Sequence, residues 1–111
     1  MTTLLILILA PVFGQLEPGD HTRTVEVGSL TRSYIVHVPS SYDGSKPMPV
    51  VLVFHGGGSN AEQMIRFCGL NEKADEVGFI AVYPSGTGRF PRMLTWHGGK
   101  ASSWDVRRSV C

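Results

Sequence analysis

The sequence predicts an α/β fold: a short antiparallel hairpin leading into a parallel strand–helix–strand unit. Three observations carry this. Two unbroken apolar runs, Pro49-Val50-Val51-Leu52-Val53-Phe54 and Phe79-Ile80-Ala81-Val82-Tyr83, flank a stretch with helical spacing. Runs without alternation mark strands covered on both faces. Ahead of them, Arg32-Ser33-Tyr34-Ile35-Val36-His37-Val38 alternates instead, and after the first run come the consecutive glycines Gly56-Gly57-Gly58.

The chain has 111 residues, 42% hydrophobic and 17% charged. That is ordinary globular composition with room for one domain. Ten Lys and Arg face nine Asp and Glu, a net charge of +1, and no basic cluster exceeds Arg107-Arg108. This gives no electrostatic basis for a nucleic-acid partner.

The elements follow in order. Leu4 to Ala10 is an uninterrupted apolar run that Pro11 ends. It is too short for a membrane span, which needs about 20 residues. It suits the apolar core of a signal peptide, with Val12 and Gly14 at −3 and −1 of a cut before Gln15. The expectation is a leader over 1–14 and a secreted or periplasmic protein, although Met1-Thr2-Thr3 lacks the usual basic residue. A buried N-terminal strand is the plainer alternative.

Thr22 to Val27 and Arg32 to Val38, separated by a connection containing Gly28-Ser29, read as an antiparallel hairpin. Tyr34, Val36 and Val38 share one side, which puts His37 on the opposite, wetter face as an exposed strand histidine. Pro39 to Pro47 is a loop by its turn residues. The helix after the glycines has Asn60 as N-cap, with Gln63 placed to close a capping box. Met64, Phe67 and Cys68 are assigned to its buried face, and Gly69 to its C′ position. Leu70, Ala74 and Val77 recur at helical spacing up to Gly78, and the second apolar run follows. One helical crossover covers one sheet face, so the other face and a strand edge are expected to lie open.

Beyond Pro84 the pattern decays. Ser85-Gly86-Thr87-Gly88 reads as a loop, and Arg89 to Trp96 has no clear period. Gly98-Gly99-Lys100 is no phosphate loop, because Leu94 stands where its first glycine belongs and Ala101 where Ser or Thr belongs. Gly86-x-Gly88 meets Pro91 in place of the third glycine of a dinucleotide fingerprint. No C-x-x-C, H-E-x-x-H or acidic calcium loop occurs, so no metal or other cofactor is expected. Cys68 and Cys111 do not amount to a disulfide framework. Trp96 and Trp104 are either stacking platforms for sugars or aromatics, or apolar filler beneath a loop.

The chemistry lies in Phe54-His55-Gly56-Gly57-Gly58-Ser59-Asn60. A strand that runs into bare glycines and then a capped helix brings backbone N–H groups to the carboxyl end of a sheet. Such donors suit the oxyanion of a tetrahedral acyl intermediate. The plainer reading is a tight connection without function.

From Arg32 to Trp96 the chain resembles the N-terminal part of secreted α/β-hydrolase esterases, specifically the polyhydroxybutyrate depolymerase and feruloyl or acetylxylan esterase family. The resemblance rests on Arg32-Ser33-Tyr34, Val38-Pro39-x-x-Tyr42, Pro49 to Gly58, Ala74-Asp75-x-x-Gly78-Phe79, Val82-Tyr83-Pro84 and Thr95-Trp96. It implies ester hydrolysis by a serine nucleophile with a histidine base and an acidic partner, acting on a polyester or a plant cell-wall polysaccharide ester. It assigns the oxyanion-hole N–H groups to Gly57 and Gly58, and loop support to His55 and Gly56. In this fold the nucleophile lies in a G-x-S-x-G elbow and the catalytic histidine comes last. No serine here has glycines two residues on either side, so the chain supplies no triad residue. The expectation is a partial α/β-hydrolase domain over 15–97, inactive alone, with a divergent tail over 98–111 that fits a frameshift or an incomplete gene model. The alternatives are a non-catalytic carbohydrate- or carboxylate-binding module, and one chain of a split esterase completed by a second chain.

Overall fold

The computed structural model describes residues 16–96. The expected leader and the 98–111 tail, with His97, Trp104 and Cys111, lie outside the described residues. Strand β1 (Gly19–Val27) pairs antiparallel with β2 (Leu30–Val38), in register from Gly19 opposite Val38 to Val27 opposite Leu30. This leaves Gly28-Ser29 as a two-residue turn. Gly28 takes φ +61° and Ser29 does not take a positive φ, the arrangement of a type II′ hairpin turn.

Strand β3 (Val50–Leu52) is followed by helices α1 (Ala61–Cys68) and α2 (Leu70–Val77) and then by β4 (Ile80–Pro84). The strands form one mixed sheet in the order β1-β2-β4-β3. Strands β3 and β4 run parallel, from Val50 opposite Ile80 to Leu52 opposite Val82. Strands β2 and β4 run antiparallel, from Tyr34 opposite Pro84 to His37 opposite Ala81. The Val53 N–H extends the β3–β4 ladder by donating to the Val82 carbonyl at 2.8 Å.

Helix α1 starts as its cap dictates. The Asn60 carboxamide oxygen accepts from the Gln63 N–H at 2.9 Å, and Gly69 ends the helix at φ +63°. The reciprocal half of the capping box is replaced, because the Gln63 side chain accepts from the Ser59 hydroxyl at 2.9 Å. The buried stripe of α1 is Ala61, Met64, Ile65 and Cys68, packed with Leu70 and Phe79 against Ile35, Val53, Ala81 and Tyr83. Phe67 is exposed, contrary to its expected place. At about 100° per residue it lies roughly 110° from the centre of that stripe. Val77 is likewise exposed, whereas Ala74 is fully buried. None of the helices among the described residues is long and apolar enough to cross a membrane.

Three further expectations need correcting. His37 is buried, because the second half of β2, Ile35 to Val38, is buried on both faces. A strand in mid-sheet has no wet face, so alternation at its exposed start does not extend to its end. Second, the strand Val50–Phe54 is shorter and drier on one side only. Val53 is buried, but Val50, Leu52 and Phe54 are 58%, 58% and 55% exposed along the sheet edge. Third, the stretch after Pro84 is structured. Strands β5 (Thr87–Phe90) and β6 (Met93–Thr95) form an antiparallel hairpin that turns at Pro91-Arg92.

Candidate active site

The segment Val53–Asn60 leaves the carboxyl end of β3 and delivers the chain to α1. Its turn is held by the Ser59 N–H, which donates to the Gly56 carbonyl at 3.2 Å. Gly58 takes φ +78° and Gly57 does not take a positive φ. A positive φ confined to the second central residue defines a type II turn, which demands glycine at that place. Gly58 is therefore glycine for a backbone reason.

Gly56 and Gly57 are not. Among the described residues, a Cβ on Gly56 would meet nothing within 4 Å, and one on Gly57 would meet only the Thr95 hydroxyl at 3.9 Å. Neither conformation nor packing requires glycine there. What their bareness does provide is open approach to the backbone, the property that a site for an acyl oxygen needs.

The β5–β6 hairpin is fastened to this turn. The Gly58 N–H donates to the Leu94 carbonyl at 2.8 Å, and the Leu94 N–H donates to the Ser59 carbonyl at 2.8 Å. The Asn60 carboxamide donates to the Arg92 carbonyl at 3.1 Å, so one residue caps α1 and anchors the hairpin. The Gly58 N–H, expected as an oxyanion donor, is thus engaged within the protein. The Gly57 N–H makes no hydrogen bond among the described residues.

His55 joins the two parts. It is buried, and its Nε2 accepts from the Gly86 N–H at 2.9 Å while Nδ1 lies 2.8 Å from the Gly56 carbonyl. A backbone amide can only donate and a carbonyl can only accept, so the network assigns the Nδ1–H tautomer. Trp96 packs its ring on His55 at 4.7 Å and meets Phe54 edge-on at 5.2 Å. Its indole N–H donates to the His55 carbonyl at 2.8 Å. Trp96 is therefore committed to holding this loop. With both nitrogens engaged by backbone, His55 has no lone pair to offer a nucleophile.

Gly86 was legible only as a loop residue, yet it fits closely. A Cβ there would stand 2.3 Å from the Thr95 carbonyl oxygen and 3.3 Å from the His55 ring. At Gly88 the corresponding contact is with the Met93 carbonyl at 2.4 Å. Both glycines let the hairpin close on itself beside the loop. The pair G-x-G after a strand is the signal for this, although its use here is close backbone approach and not phosphate binding.

A second polar cluster lies elsewhere in the sheet. His37 places Nδ1 2.6 Å from Asp20 and Nε2 3.0 Å from Asp75. Asn71 donates to Asp20 at 3.3 Å and accepts from the Tyr83 hydroxyl at 2.7 Å. Burial, then the neighbouring Cys68, pushes the Tyr83 hydroxyl well above its ordinary range, so it acts as a neutral donor. Among the described residues no histidine nitrogen bonds a serine hydroxyl. No group of three or more His, Cys, Asp or Glu is placed there to hold a metal ion.

The chain is similar to a curated protein, the "Putative esterase NocK" of Nocardia uniformis subsp. tsuyamanensis. The two are 40% identical over 65 residues, which is 58% of this chain and 19% of that protein. The relationship is esterase-like, and the matched part spans about a fifth of the relative's length. No protein-family model matches the chain.

Proposed function

We propose that the chain is the N-terminal part of a serine-type carboxylic-ester hydrolase with an α/β-hydrolase fold. It carries the oxyanion-hole loop, while the nucleophile, acid and base come from sequence outside these 111 residues. The observation that carries this reading is the glycine turn. Gly56 and Gly57 are bare where nothing among the described residues requires it, at the carboxyl end of a parallel strand and beside a capped helix. In α/β-hydrolases one oxyanion donor comes from the loop between the third strand and the following helix, and Val53–Asn60 connects β3 to α1. The esterase-like relationship supports the same class.

On this reading the Gly57 N–H is the donor from this loop. Gly58 supplies the positive φ and uses its own N–H to anchor the turn. His55, through Gly86 and Trp96, holds the turn rigid, so that the donor needs no reorganisation when charge develops. The second donor is the N–H after the nucleophile. The substrate belongs to the polyester, feruloyl-ester or acetyl-xylan class, and the protein is exported.

The test is the nucleotide sequence following the codon for Cys111, read in all frames. The proposal expects a G-x-S-x-G after a strand-like apolar run, and an acidic residue and a histidine beyond it. Downstream sequence without that elbow in any frame would refute it.

A further inference from the structure

The cluster around His37 stands apart from the glycine turn and plays no part in the proposed chemistry. His37 lies on the helix-covered side of β2, in the row that continues through Ala81 to Val51. Its ring reaches both neighbouring elements, Asp20 at the start of β1 and Asp75 on α2. The ring is 9% exposed, whereas the two carboxylates are 48% and 45% exposed. Each carboxylate oxygen that it meets accepts a second bond, Asp75 from the Ser40 N–H at 3.2 Å and Asp20 from Asn71 at 3.3 Å.

We propose that Asp20, His37 and Asp75 form a proton-operated latch that ties β1 and α2 to the centre of the sheet and releases α2 when the proton leaves. The geometry requires two protons on the ring. Both nitrogens face carboxylates, which accept only, so both bonds form together only in the imidazolium. Neutral imidazole keeps one N–H. The shorter contact, to Asp20 at 2.6 Å, retains it, and Nε2 then turns a lone pair towards Asp75. The attraction holding α2 becomes a repulsion between two acceptors.

The groups facing the ring are few. From β1 there is Asp20 and from α2 there is Asp75, and these two are the charges acting on it among the described residues. From β4 comes Ala81, with the Tyr83 hydroxyl beyond it bonded to Asn71. On α2, Lys73 and Glu76 pair with each other at 3.2 Å, both more than half exposed. Burial by itself lowers the pKa of His37, but the two carboxylates outweigh burial and raise it above 6.5. A raised folded value makes the latch fully stabilising below the unfolded pKa and weaker as pH rises through the folded one. The latch therefore favours mildly acidic surroundings over alkaline ones.

The test uses the full chain and begins with an NMR titration of the His37 ring. The expected midpoint lies above 6.5, the ordinary histidine value, and above it the α2 amides lose protection relative to their intrinsic, base-catalysed exchange and to the amides of β2 and β4. A midpoint at or below that value would overturn the proposal, as would α2 protection factors unchanged across the transition. Melting temperatures at about pH 5.5 and about pH 8.5 give a second readout. The native chain is expected to melt lower at the higher pH, and His37→Gln is expected to lose that dependence. Should His37→Gln not fold, Asp75→Asn serves, since removing one of the two charges is expected to bring the His37 midpoint down. A His37→Gln chain with the native pH dependence, or an unmoved midpoint in Asp75→Asn, would refute the latch.

Discussion

Two glycine-to-alanine substitutions separate the glycines that the fold needs from those that a site needs. Gly86→Ala places a methyl group 2.3 Å from the Thr95 carbonyl oxygen and 3.3 Å from the His55 ring. The nearest obstacle is backbone in a paired strand, so the hairpin must move away from the loop. Overpacking of this kind costs about 1–3 kcal/mol. The shift also pulls the Gly86 N–H off His55 Nε2, a bond of 2.9 Å to a buried ring. An unpaired buried acceptor adds about 1–3 kcal/mol, for a total of roughly 2–6 kcal/mol. Gly57→Ala meets only a hydroxyl at 3.9 Å and should stay within about 0.5 kcal/mol of the native chain, as open surface positions do. Equilibrium urea unfolding in a Trp104→Phe background, followed by Trp96 fluorescence, measures both, because Trp96 stacks on His55. Equal midpoints for Gly86→Ala and the native chain would show that the hairpin does not brace the loop. A Gly57→Ala loss as large as that of Gly86→Ala would show that the fold itself needs Gly57.

Asn60→Ala removes the cap on Gln63 and the anchor to Arg92 together, and should lower unfolding free energy by about 1–3 kcal/mol, read from the urea midpoint. Gly58→Ala forces an alanine into φ +78° and should cost about 1–2 kcal/mol by the same measurement. Tyr83→Phe deletes the hydroxyl bonded to Asn71. It should cost about 1 kcal/mol, and the NMR signal of the Asn71 side-chain amide should shift.

Much of this molecule could be read from local sequence. The turn at Gly28-Ser29, the Asn60 cap, the Gly69 stop and the places of the two apolar strands each follow from nearest neighbours, although the first strand ends at Leu52. What could not be read depends on partners distant in sequence. His37 shows its neighbours no sign of Asp20 and Asp75, which reach it across the sheet and from α2. The β5–β6 hairpin has weak alternation, because β6 holds only Met93–Thr95 and takes its order from pairing with Ser59. Phe67 lies on the wet side of α1, because a short amphipathic helix tolerates an apolar residue there.

The glycine turn shows the same division. Its position, its cap and its three glycines are in the sequence, but their different duties are not. Only the structure shows that the Gly58 N–H is engaged with Leu94 and that Gly58 alone needs its positive φ.

If the Gly57 N–H serves a developing oxyanion, Gly57→Pro should disable it. Proline removes that N–H, and the first central position of a type II turn accepts its fixed φ. The measurement is kcat for a chromogenic short-chain ester, made on the reading frame extended through its downstream elbow. We expect a fall of about 10²–10³ in kcat, the usual effect of losing one oxyanion donor, with the melting temperature preserved. An unchanged kcat in a folded Gly57→Pro protein would contradict it.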